Sequence, residues 1–266
     1  MADTGIDIQD GIAVIRFLRP ERMNTFSPGM IEELGEHYRR CDADPAVRVV
    51  VVTGSGAAFC AGADMRDAQV FVAEDDAPPV SSCPLAMQAW DLRKPVIAAC
   101  NGHAIGIGLG IALQCDMRIF AGGAQYGFLQ NRRGVVADFG VEYLLPRITG
   151  FERAFELLVR GLRIDGATAL AWGLCSRAVP ADEVEPLAIE IAADMSKNCS
   201  PFVMGMHKRL LWRGLDAARD ELVALETRAL HASMRGPDAR EGGEAWAERR
   251  APRWQDLHGD DWPAFL

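Results

Sequence analysis

The sequence predicts a layered α/β domain whose C-terminal third is almost wholly helical. Three observations predict it. Short apolar runs of strand character recur along the first 150 residues, helical periodicities lie between them, and beyond about residue 150 nearly every segment has a helical period. The 266 residues, 49% of them hydrophobic, can bury a full core and suit one large domain or one domain with a small appendage.

GIAVIRFLRP (11–20) alternates before Pro20, and the valine-rich PAVRVVVVTGSG (45–56) ends at glycines; both read as core strands. Between them, SPGMIEELGEHYRRCDAD predicts a helix with Ser27 as cap, Pro28 in the first turn, and Met30, Ile31, Leu34 and Tyr38 at helical spacing. Segment 66–82, which contains AEDDAPPVSS, loses periodicity and is expected to be a mobile loop. Cys83, Met87 and Trp90 then repeat at helical spacing, a stripe that reads as core. KPVIAACNG follows as a strand, GIGLGIALQC as a helix, DMRIFAG as a strand and VEYLLPRITG as a helix closing at Pro146.

FERAFELLVRG, DGATALAWG, ADEVEPLAIEIAADMSKN, the long run 203–236 and REGGEAWAERR are helix patterns, and LCSRAVP suggests one short strand. Their amphipathic stripes need a partner surface, either the α/β core or another subunit.

Charge and cysteine usage narrow the function classes. With 28 Lys and Arg against 37 Asp and Glu, the net charge of −9 opposes nucleic acid and acidic membrane surfaces as general partners, while a local basic patch stays compatible with an anionic ligand. Seven cysteines without a CxxC pair read as reduced thiols of a cytoplasmic protein. MADTGIDIQDG has neither a basic run nor an apolar stretch, so no secretory signal is expected. No run of about 18 apolar residues suggests a membrane span. Five scattered histidines without HxH or HExxH spacing predict no metal site.

The chemistry is sought near the glycines. Gly106, Gly108 and Gly110 stand where a helix begins, and each glycine in a helix costs roughly 1 kcal/mol against alanine. Tight packing explains them; so do backbone N–H groups left bare at a helix start to receive an anionic oxygen. FCAGADM (59–65) forms a second glycine corner after a strong strand. Neither matches a Walker loop or a dinucleotide fingerprint. Farther on, AQYGFLQNRRGVVADFG contains a single carboxylate, Asp138, which reads either as a helix cap or as a proton carrier.

AFCAGADM, KPVIAACNGHAIGIGLGIALQCDMRIF, AQYGFLQNRRGVVADFG and LPRITGFERAFELLVRG, in this order, resemble the enoyl-CoA hydratase/isomerase (crotonase) superfamily. The resemblance runs from RFLRPERMN to EAWAERRAPRW. It implies a ββα spiral core over residues 1–200, a helical region over 201–266 that assembles a homotrimer or homohexamer, and an acyl-CoA thioester as substrate. Coenzyme A would then enter as part of the substrate, with no tightly bound cofactor.

The resemblance also implies roles. The backbone N–H groups of Ala63 and Ile107 would hold the thioester oxygen, and two preorganised donors matter because charge grows there as an enolate forms. Ala61, Asp64 and Met65 would cradle the adenine end of CoA, and Arg250 would reach its phosphates. The two glutamates of hydratases fall at Gly110 and Gln130, neither of which is a base near neutral pH.

Asp138 matches an acid used by isomerase branches and by an aromatic acyl-CoA dehalogenase. The imidazole and indole that support the dehalogenase nucleophile would fall at Cys83 and Gln130, so aryl displacement is not expected. Double-bond isomerisation with Asp138 as single base, desolvated by Val135, Val136 and Phe139, is the expectation. An atypical hydratase, a thioester hydrolase and a non-catalytic acyl-CoA-binding protein are the alternatives. His103 and Asp116 read as structural.

Overall fold

A computed structural model describes residues 2–65, 81–259 and 262–266. The segment expected to be a mobile loop lies outside the described residues apart from Ser81 and Ser82.

Two sheets share the core. The larger joins β1 (Thr4–Gln9), β2 (Ile12–Phe17), β3 (Val49–Gly54), β5 (Val96–Cys100), β7 (Met117–Ala121) and β10 (Arg177–Val179) in that spatial order. The smaller orders β4 (Ala58–Cys60), β6 (His103–Ile105), β8 (Gln125–Gly127) and β9 (Arg163–Asp165). Strands β1 and β2 pair antiparallel through a tight turn in which Asp10 and Gly11 both take positive φ, 52° and 81°. From β2 to β10 the larger sheet is parallel, which explains why the valines of β3 are buried on both faces.

Three times the chain leaves a strand of the larger sheet and enters one of the smaller: β3 to β4, β5 to β6, β7 to β8. Glycines allow the close passage at the first switch, where a Cβ at Gly54 would lie 2.4 Å from the Ala58 carbonyl oxygen. Consequently the segments that follow β4, β6 and β8 all emerge from the three parallel strands of the smaller sheet, whose fourth strand, β9, is antiparallel.

Helix α1 (Pro28–Ala43) packs on β1 and β2, and the Ser27 side chain caps it by accepting from the Met30 N–H at 3.1 Å. Helix α2 (Ile107–Gln114) is buried from Gly108 to Gln114, so it has no solvent face to mark with charge. Helix α3 (Val141–Thr149) continues past Pro146 to Thr149 instead of closing there. Burial of Leu144 and Leu145 outweighs the one hydrogen bond that the proline removes.

Residues 83–92 form no α-helix. The chain makes a single 3-10 turn at Ala89–Asp91, closed by the Asp91 carboxylate, which accepts from the Gln88 N–H at 3.1 Å, and Trp90 is half-buried against the core. The C-terminal elements are α4 (Phe151–Leu158), α5 (Gly166–Ala171), α6 (Val184–Asn198), α7 (Pro201–Gly214), α8 (Arg219–Arg235) and α9 (Pro237–Glu248). Helix α6 covers β3 and β5, while α7 and α8 form a pair farther out. No helix among the described residues is long and apolar enough to cross a membrane.

Candidate active site

The segments leaving β4, β6 and β8 bring together the residues singled out from the sequence. After β4 the chain is pinned by its neighbours: the Ala61 N–H donates to the Met23 carbonyl at 3.0 Å, and the Phe26 N–H donates to the Gly62 carbonyl at 2.7 Å. Asn24, wholly buried with φ 52°, donates to the Ser55 and Ala58 carbonyls at 2.9 and 2.8 Å and ties this loop to the turn before β4. Ala63 pairs with Phe26 in an isolated parallel bridge, and its own N–H has no acceptor among the described residues. Asp64 braces the corner through Arg22 at 3.2 Å and Arg19 at 3.8 Å, and Met65 is exposed.

After β6, Gly106 takes φ 56° and ψ −120° at the start of α2, a conformation that suits glycine. Ile107 is then the first residue of the helix, so its N–H has no intrahelical partner. Gly108 lets α2 lie directly on β4, since a Cβ there would stand 2.1 Å from the Cys60 carbonyl oxygen. The bare N–H groups of Ala63 and Ile107 therefore belong to neighbouring segments, and the helix N-terminus adds positive potential to this corner.

After β8, the chain passes through a 3-10 turn at Asn131–Arg133 to Asp138. Gln130 is buried, and neither its amide oxygen nor its amide nitrogen has a hydrogen-bond partner. It rests against α2, 3.3 to 3.5 Å from where a Cβ on Gly106 would be. Asp138 leaves Oδ1 buried and without a partner. Burial pushes the Asp138 carboxyl up from 3.8 to about 6; its own backbone N–H holds it down, Glu142 adds to the rise, and the nearby Gln130 amide favours the charged form slightly. Gln130 stands close without closing a direct hydrogen bond. Three polar atoms are thus left open in one buried corner, two that accept and one that donates.

Asp138 does not cap α3. Gly140 is the N-cap residue and no side chain closes that helix end. Phe139 takes φ 57°, a left-handed conformation that costs a bulky residue about 1–2 kcal/mol, so the surroundings hold it there. Its N–H donates to the Ser82 carbonyl at 2.6 Å, its ring packs edge-on to Phe26 at 5.7 Å, and its carbonyl accepts from the Gln114 amide at 3.1 Å. Of the apolar neighbours expected to dry Asp138, Phe139 is buried but Val136 is 84% exposed.

Gly110 faces the Asp138 loop, and a Cβ on it would meet Phe139 Cβ at 3.0 Å and Val141 at 3.5 Å. Elsewhere, His103 Nδ1 accepts from the Gln125 N–H at 2.9 Å, and Asp116 accepts from the Val96 N–H, Trp212 Nε1 and Lys208 Nζ at 2.7, 2.7 and 2.9 Å, both structural. Burial pushes the Cys60 thiol up to about 12, as suits an inert core residue. Arg250 is gripped by Glu241 at 2.6 and 3.0 Å and by Glu248 at 2.6 Å, contacts that hold the Glu241 carboxyl down at about 2.

Gln114 and Ser82, which lock the loop from behind, had not been marked in the sequence. Gln114 carried a signal, being the only amide in an apolar helix. Ser82 acts through its carbonyl and carried none. Among the described residues no group of three or more His, Cys, Asp or Glu is placed to hold a metal ion.

The exits of three strands of one small sheet thus bring two bare N–H groups and a half-buried acid with a covered Oδ1 into one corner. Residues 7–257 match the family model described as enoyl-CoA hydratase/isomerase. The chain belongs to the enoyl-CoA hydratase/isomerase family and has the crotonase fold; it is an acyl-CoA-processing enzyme of that family.

It is 34% identical over 249 residues to an enoyl-CoA hydratase of Alternaria alternata, an alignment covering 93% of this chain and 84% of that protein. Its structure is similar to that of a probable enoyl-CoA hydratase/isomerase from Mycobacterium abscessus, with TM-score 0.92, 39% identity, and 97% and 100% of the two chains covered. An enoyl-CoA hydratase from Bacillus anthracis superposes with TM-score 0.88 at 30% identity over 95% and 99% of the two chains.

Proposed function

We propose that this enzyme shifts a double bond within an acyl-CoA thioester, with Asp138 as its single proton carrier. The observation that carries the reading is a half-buried carboxylate with a covered, unpartnered Oδ1, lifted to about 6, in a corner where both hydratase glutamate positions lack an acid. In this mechanism the N–H groups of Ala63 and Ile107 receive the thioester oxygen, lowering the cost of removing a proton from carbon. Asp138 takes that proton, the electron pair moves through the enolate, and Asp138 returns the proton two carbons along. A carboxylate near 6 is ionised at neutral pH yet basic enough to serve.

CoA is the carrier portion of the substrate, with Ala61, Asp64 and Met65 at its adenine end. Arg250 at the phosphates requires Glu241 and Glu248 to share or release it. An 870 Å³ cavity lined by Trp90, Gly140, Tyr143 and Trp212 borders the Asp138 loop and supports an acyl pocket on that side. Residues 201–266 are proposed as the assembly region of a homotrimer or homohexamer, supported by the exposed Leu211, Leu230, Met234 and Trp246.

The test is double-bond migration and deuterium uptake in deuterated buffer with paired 2-enoyl and 3-enoyl CoA thioesters, using wild type and Asp138→Asn. Migration in wild type that is absent from the variant supports the reading. Equal migration in both overturns it.

Hydration is the second reading, and the unpartnered Gln130 amide favours it. Nε2, Oε1 and Asp138 Oδ1 together offer a donor and two acceptors, a set that suits a water molecule. Formation of a 3-hydroxyacyl product from a 2-enoyl thioester, lost in Gln130→Ala, would favour this reading over bond migration.

A further inference from the structure

Helix α2 touches the candidate site at both ends and in the middle. Its first residue, Ile107, carries the bare N–H of the oxygen-binding corner, Gly110 lies against Phe139, and its last residue, Gln114, reaches the Asp138 loop. Gln114 is 1% exposed, and its Nε2 donates to the Phe139 carbonyl at 3.1 Å while its Oε1 is left without a partner. A buried amide that satisfies only one of its two ends destabilises its own surroundings, so its one bond is where a functional explanation lies. That bond falls on a phenylalanine held at φ 57°, next to the acid.

We propose that Gln114 is the positioning residue for Asp138: by holding Phe139 left-handed it sets the carboxylate in its buried place and keeps Phe139 Cβ in the slot beside Gly110. One rigid helix then fixes the distance between the oxygen-binding N–H of Ile107 and the proton carrier. The same bend crowds position 110, where a Cβ would stand 3.0 Å from Phe139 Cβ. The inference rests on Asp138 being the proton carrier, but the placement of Asp138 can be read without turnover.

The test uses Gln114→Met, which keeps an unbranched side chain of similar size and removes the donor, and Gln114→Leu, a second apolar replacement that also removes it. Protein with 13C-labelled aspartate carboxyls is titrated by NMR, with the Asp138 signal assigned by its absence in Asp138→Asn. The wild-type midpoint is expected near 6 and is expected to fall by more than one pH unit in both variants as water reaches the carboxylate.

In parallel, kcat for bond migration is expected to fall about 100-fold in Gln114→Met with little change in KM, and the acid limb of its pH profile to move down with the titration. A purely structural role would lower the melting temperature and leave the midpoint and the pH profile unmoved. Midpoints at the wild-type value in the folded variants overturn the proposal, and Gln114→Leu alone decides it if Gln114→Met does not fold. Wild-type migration in Asp138→Asn would instead defeat the proton-carrier reading, and the NMR midpoints would still judge the positioning.

Discussion

Phe139 occupies the space that a side chain on Gly110 would need, its Cβ standing 3.0 Å from where one on position 110 would begin. The contact is tighter than ordinary van der Waals packing, so a side chain at 110 requires its neighbour to give by a few tenths of an ångström. Gly110→Glu forces either Phe139 or α2 to move, and such overpacking costs about 1–3 kcal/mol. The expected outcome is a melting temperature lower by several degrees, at about 2–4 °C per kcal/mol for a chain of this size, with no gain in hydration. Calorimetry and a hydration assay on the purified variant check both parts; a stable, hydrating Gly110→Glu enzyme would contradict the packing argument.

The role proposed for Asp138 carries a pH dependence for activity. A base must be ionised to accept a proton, and this carboxyl is lifted to about 6. Activity measured as kcat/KM is therefore expected to rise from acid pH, reach half its plateau near pH 6, and lose this limb altogether in Asp138→Asn.

Stability follows the same group with the opposite benefit. Because the folded carboxyl binds its proton more tightly than the unfolded one, the native state takes up a proton between about pH 6 and 4, and stability falls as pH rises through that window. Asp138→Asn has no such loss. It is expected to melt above wild type at about pH 8, by an amount worth on the order of 1 kcal/mol per pH unit of lift, and the advantage is expected to shrink as the pH falls toward 4.

Gln130 separates the two reactions. Gln130→Glu places a second acid beside Asp138 and is expected to push its titration, and the acid limb of the rate profile, above the wild-type value, because two neighbouring carboxylates resist ionising together. Rates across pH for this variant check the direction, and a limb that moves down would show that the two side chains do not share a site.

Arg250 offers a test of carrier recognition. Glu241 and Glu248 hold it in place, so Glu241→Gln is expected to leave the guanidinium freer and Arg250→Ala to raise KM for a CoA thioester. The matching pantetheine thioester lacks the nucleotide phosphates and is expected to show no change in KM. Equal effects on both thioesters would place Arg250 outside carrier binding.

Where a segment meets its neighbours in one face, the sequence was sufficient. The valines of β3, the stripe of α1 with its Ser27 cap, and the helices beyond residue 150 are written in local periodicity, because burial of one face or of a whole strand leaves a regular apolar pattern. The family was legible in the order and spacing of its motifs, which also singled out Ala63 and Ile107 as candidates, and Asp138 stood out as a lone acid in an apolar loop. Periodicity misled at residues 83–92, where a helical spacing of Cys83, Met87 and Trp90 hides a single capped turn, and at Pro146, where packing carried α3 on.

The sequence by itself determined which residues are apolar, which are glycine and how many acids are available near the reacting corner. Only the tertiary structure decided that the strand exits of one small sheet meet, that Val136 points outward and Phe139 inward, and that Phe139 fills the space at Gly110. The physical reason is that these outcomes depend on backbone dihedrals and on contacts between segments remote in the chain. A positive φ at Phe139 is held by Ser82, Phe26 and Gln114, and no local pattern of residues 135–140 encodes the presence of those three.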